Sequence, residues 1–199
     1  MTVLVVGSIV AGIAAGASGL LPPAYVGRVE AVIEGALLLV LLLAGVEVGR
    51  KREAWEALRR LGWRALLLPA GVALFSVAGA MVAGAVLRMP LREAGAVGAG
   101  LGWYSLTGIL LTRIHSAELG ALGFLANVAR ELIAIASIPV LARRLGGLAA
   151  VSTGGATTMD VTLPVVARAT RGEMTAVALL QGTCLTLLVP LLLPLILHW

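Results

Sequence analysis

The stretch GGATTMDVTLP, Gly154 to Pro164, stands inside an otherwise oily region of the chain. Two glycines, three threonines, an aspartate and a proline each carry a cost in hydrocarbon, where no water satisfies freed backbone groups. Gly154 and Gly155 let a helix unwind, and Pro164 has no N–H to donate. Non-helical backbone at membrane depth survives only when buried in protein or lining a cavity. The stretch therefore predicts a broken transmembrane segment with Asp160 at membrane depth. Thr157, Thr158 and Thr162 are candidates either to satisfy the freed backbone or to contact a ligand.

The rest of the chain supports a bilayer as solvent. Of its 199 residues, 60% are hydrophobic and only 13% are charged, about half the share usual in soluble proteins. Its mean hydropathy is +1.04. The formal charge of +5 is no sign of nucleic acid here, because the bases crowd at segment ends. Their main cluster, Arg50, Lys51, Arg52, Arg59, Arg60 and Arg64, reads as a topology signal. Cys184 is the one cysteine, which excludes an intramolecular disulfide and a cysteine metal cage. No metal or cofactor is expected. The N-terminus lacks a basic leader region, so residues 2–21 read as a retained span.

A span needs about 20 mostly apolar residues. That length divides the chain into five to seven hydrophobic helical segments: an all-α, multi-pass integral membrane protein forming one transporter domain over 1–199. Candidate spans are 2–21, with a Gly12/Gly16 pair suited to close packing, then 31–48, 65–87, 117–144 and 174–197. Between the second and third, residues 49–64 interleave Trp55, Leu58, Leu61 and Trp63 with bases, the pattern of an interfacial helix. Pro139 is expected to kink or end the 117–144 helix. Two segments, about 94–112 and 148–168, are glycine-rich and broken or re-entrant. If both re-enter, the basic pairs Arg143/Arg144 and Arg168/Arg171 fall on one side; if both cross, they do not.

Polar residues single out a site. Asn127, Arg130 and Glu131 share one flank of the 117–144 helix at spacings of three and four. A charge at the bilayer centre costs about 2.5–3.5 kcal/mol, so such groups face the protein interior or a watery cavity. Trp103, Tyr104 and Ser105 give the first broken segment a character like that of the second. Two broken segments around an acid-bearing helix form a transporter-like pattern, in which unwound backbone meets substrate near the midplane. The candidate binding residues are Glu131, Asp160, Asn127, Thr157, Thr158, Tyr104 and Ser105. Arg130, Gly154, Gly155, Pro164 and Trp103 are expected to shape and pack the site.

Three blocks, GLGWYSLTGILLT (100–112), NVARELIAIASIP (127–139) and GGATTMDVTLPVVAR (154–168), resemble the signature blocks of the LysO lysine-exporter family of bacterial inner-membrane proteins. The resemblance covers that family's C-terminal two thirds. It implies export of L-lysine and its analogue thialysine, driven by an ion gradient, with Glu131 and Asp160 matching the membrane acids needed for transport. Where many members carry Asn-Asp, this chain has Ala126-Asn127. A separate small membrane subunit, or a homo-oligomer, is expected to supply the remaining helices.

A cationic substrate in a low-dielectric cavity needs a counter-charge, and a carboxylate there can alternate between a cation and a proton. Glu131 and Asp160 fit antiport on that ground. The rival readings are a transporter or channel for another small cation or amino acid, a non-transporting scaffold or partner subunit, and an intramembrane enzyme. The last is disfavoured because His115 falls in a loop and His198 at the terminus, away from any nucleophile.

Overall fold

The computed structural model describes residues 23–198 and, before them, residues 7, 11, 12 and 14. The expected first span therefore lies almost wholly outside the described residues. The chain divides into two compact units, Met1–Leu43 and Ala44–Trp199. Among the described residues there are helices and turns and no strand. Helix α1 is Pro23–Arg50 and α2 is Arg52–Leu61, which Gly62 closes at φ +69°. A short 3-10 turn, Trp63–Leu66, leads into α3, Leu67–Val86.

The next segments are interrupted. Helices α4 (Leu91–Gly98) and α5 (Tyr104–Ile114) flank one break, and α6 (Ala117–Leu145) follows. Helix α7 (Gly147–Gly154), a 3-10 turn (Gly155–Met159) and α8 (Leu163–Ala169) form the second interruption, before α9 (Thr175–His198). Among the described residues α3, α6 and α9 are long and apolar enough to cross a membrane. Helix α6 runs unbroken through Pro139, and α9 through Pro190 and Pro194. The expected early end at Pro139 is thus not seen; neighbouring helices let a membrane helix tolerate proline.

Each broken segment doubles back. At 1.5 Å per residue, α4 and α5 are only about 12 and 16 Å long, roughly half a hydrocarbon core. His115, just past α5, lies 3.6 Å from the Glu93 carboxylate in the first turn of α4. A segment crossing the bilayer would hold those residues a full membrane apart, so 91–115 is a re-entrant hairpin. The second segment repeats the arrangement, with Gly147 at its start packed against Met174 just past its end.

The two hairpins enter from opposite faces. Ile196, near the end of α9, packs on Gly95 at the first mouth, whereas Met174, just before α9 begins, lies at the second. Helix α6 likewise starts beside the first mouth and ends beside the second, its Ala134 and Ile138 joining Ala150, Val151, Val166 and Ala178 in one apolar core. Arg143, Arg144, Arg168 and Arg171 consequently share a face.

Candidate functional site

The hairpin tips meet each other. The Ala156 N–H donates to the Leu101 carbonyl at 2.9 Å, joining the second break to the first. Leu101 is fully buried with φ +49°, a conformation unusual for a non-glycine residue, and Gly102 follows at φ +102°. Gly155 has φ +66° and lies so close to the Leu101 carbonyl and the Arg130 guanidinium that a Cβ would strike both. The second break thus needs Gly155 for its conformation and for its room.

Asn127 on α6 holds the first tip. Its Oδ1 accepts from the Gly102 N–H at 2.8 Å, while its Nδ2 donates to Val97 at 3.1 Å and Gly123 at 2.8 Å. Its amide is 3% exposed. The second tip is held largely by its own hydroxyls. Thr157 donates to the Gly154 carbonyl at 2.8 Å and Thr158 to the Gly155 carbonyl at 2.7 Å, with the Thr157 and Thr162 hydroxyls 3.2 Å apart. These threonines do the backbone work that the interrupted helix leaves undone. Pro164 sits in the first turn of α8, where its missing N–H costs nothing.

The acids occupy one flank of this crossing. Asp160 ends the 3-10 turn, exposed, and its Oδ1 accepts from the Val161 N–H at 2.5 Å. Glu131 is half-buried on α6, with Oε2 enclosed and unpartnered among the described residues. Glu131 and Asp160 both lie near enough to Tyr104 for their charges to act on its phenol. Tyr104 stacks edge-on against Phe124 at 5.4 Å. Ser105 is exposed one residue on, and Trp103 is half-buried at the start of α5.

Three contributors escaped the sequence reading. Lys51 donates to the Met159 carbonyl at 3.3 Å and pairs with Glu47 at 3.5 Å, beside Asp160. Part of the basic cluster thus touches the second tip. Gln181 on α9, fully buried, donates to Val151 at 2.8 Å and Gly155 at 3.5 Å, and its Oε1 is unpartnered among the described residues. A glutamine in an apolar run was its signal. Leu101 carried none beyond its flanking glycines.

Two membrane-depth carboxylates, a phenol and unwound backbone can hold a cationic group and exchange it for a proton. The lysine exporter LysO family model matches residues 6–197. The chain belongs to that family. A LysO relative, the lysine exporter of Escherichia coli, is 37% identical over 186 residues, covering 94% of this chain and 60% of its own length. A protein of Haemophilus influenzae named "Putative lysine exporter" is 32% identical over 133 residues, 67% of this chain and 68% of that one. The chain thus spans about three fifths of the Escherichia coli LysO protein. No solved structure matches it. Family membership and the three long apolar helices make it a multi-pass protein of the cell membrane.

Proposed function

We propose that this chain exports L-lysine, and thialysine with it, by cation–proton antiport through Glu131 and Asp160. The observation that carries the reading is the crossing of two opposed half-membrane hairpins directly beside these acids. Where two tips meet, the path from either face to the crossing is short, and small tip movements expose the acids to one side or the other. The outward-loaded acid takes a proton, and the inward-exposed acid gives it up for a lysine ammonium. The face bearing Arg143, Arg144, Arg168 and Arg171 is cytoplasmic by charge bias.

A second reading has its own support. Asp160 is exposed at membrane depth, which hydrocarbon does not tolerate. A partner subunit or a second copy would then cover this flank, and the chain alone would be inactive. The decisive experiment is lysine efflux and thialysine resistance in exporter-deficient cells, with the chain expressed alone or with adjacent membrane proteins. Activity alone supports the first reading, and activity only in combination supports the second. Inactivity in both settings sinks lysine export.

A further inference from the structure

The acids explain how ammonium groups are held, but Arg130 is left over. Its guanidinium lies against Gly155 at the crossing of the tips. Among the described residues it forms no ion pair and no hydrogen bond. The neighbouring Asn127 amide is committed to Gly102, Val97 and Gly123. A cavity of about 350 Å³, lined in part by Phe75, Ser76, Val97, Asn127 and Arg130, adjoins this arginine. A cation at the membrane centre costs about 2.5–3.5 kcal/mol, and such groups face the protein interior or a cavity and mark substrate or ion pathways.

We infer that Arg130 binds the α-carboxylate of the transported amino acid and so selects for substrates with a free carboxylate. The inference rests on the transport reading and adds to it the orientation and chemical class of the cargo. The charges support it. A dibasic amino acid carries two ammonium groups and one carboxylate. Around the crossing stand two carboxylates, Glu131 and Asp160, and one guanidinium, while the adjacent Glu47–Lys51 pair is neutral. Cargo and site complement each other charge for charge, +1 against −1. Arg130 and Glu131 are neighbours on one helix, about 100° apart around its axis, so they can take different groups of one molecule. The planar guanidinium fork matches a carboxylate with two parallel hydrogen bonds, which lysine in its place could not reproduce.

The test compares L-lysine, L-lysinamide and cadaverine as ligands of the full chain, purified with any partner its activity requires. The latter two lack the carboxylate and keep both amines. The wild-type protein should bind lysine at least about tenfold more tightly than lysinamide or cadaverine, as for loss of a charged hydrogen-bonded pair. In Arg130→Gln, lysine should weaken to the level of lysinamide while lysinamide itself is unchanged, which also shows the variant is folded. Arg130→Lys should recover part of the preference. Equal binding of lysine and lysinamide by the wild type overturns the role of Arg130 and leaves lysine export standing. Equal weakening of all three ligands in Arg130→Gln overturns it as well. Failure of the wild type to bind lysine removes the transport reading, and this inference with it.

Discussion

The two hairpins share a plan and differ in how their breaks are held. In the first, 91–115, the tip is braced from outside: one Asn127 amide takes an N–H and feeds two carbonyls. In the second, 147–169, local threonines do most of the work, with added support from Gln181 on α9 and from Lys51 at the Met159 carbonyl. The first tip carries no acid; the second carries Asp160. A break held mostly by its own hydroxyls can present a charged side chain without recruiting it into the scaffold. A break braced by a neighbour becomes part of that neighbour's packing, so the first hairpin reads as the fixed partner in the crossing.

The largest expected effect falls on the acid that only one tip carries. Asp160→Asn should reduce lysine efflux to background while leaving membrane insertion and yield near wild type. Efflux at wild-type rate from that variant would remove the functional distinction between the hairpins. The next test concerns their opposed entry. In a Cys184→Ala background, cysteines placed at Arg92 and Arg168 should react with a membrane-impermeant thiol reagent from opposite faces. Labelling of both from one face would end the inverted arrangement.

The tips themselves should respond unequally to a single methyl group. Gly155→Ala meets the Leu101 carbonyl and the Arg130 guanidinium and should sharply lower folded yield in detergent. At Gly102 the nearest atoms to an added Cβ are 3.7 Å away, so Gly102→Ala should cost only the left-handed backbone penalty, about 1–2 kcal/mol. Equal losses of thermal stability would show that the crossing is not tighter on the Gly155 side. Smaller again is the difference in bracing. Asn127→Ala removes three hydrogen bonds, each about 0.6 kcal/mol in a membrane, against one donor for Thr158→Val. Thermal denaturation should therefore rank Asn127→Ala well below Thr158→Val. Last comes the half-exposed His115–Glu93 contact, where His115→Ala should shift stability by no more than about 1 kcal/mol.

Much of this was legible in the residues. Glycines and hydroxyls in an oily run located both breaks, and a downstream proline marked the second, because each residue type has a backbone consequence that hydrocarbon makes expensive. Asn127, Arg130, Glu131 and Asp160 stood out for the same reason. What escaped notice acts at a distance in sequence. Lys51 reaches Met159 across 108 positions, and Gln181 reaches Val151 across 30. Pro139 misled because its local preference yields to the helices around it.

Hydropathy and the cost of polar groups in lipid thus determined by themselves that the chain is helical, membrane-embedded and broken at two places. Those are local properties, set by transfer energies and backbone dihedrals. Whether a broken segment crosses or returns is a matter of which ends meet, and only the contacts of His115 with Glu93 and of Gly147 with Met174 decided it. The same holds for Leu101 and Ala156. Two unremarkable residues become the junction of the hairpins because the fold brings an orphan carbonyl and an orphan N–H to one buried point, where each needs the other.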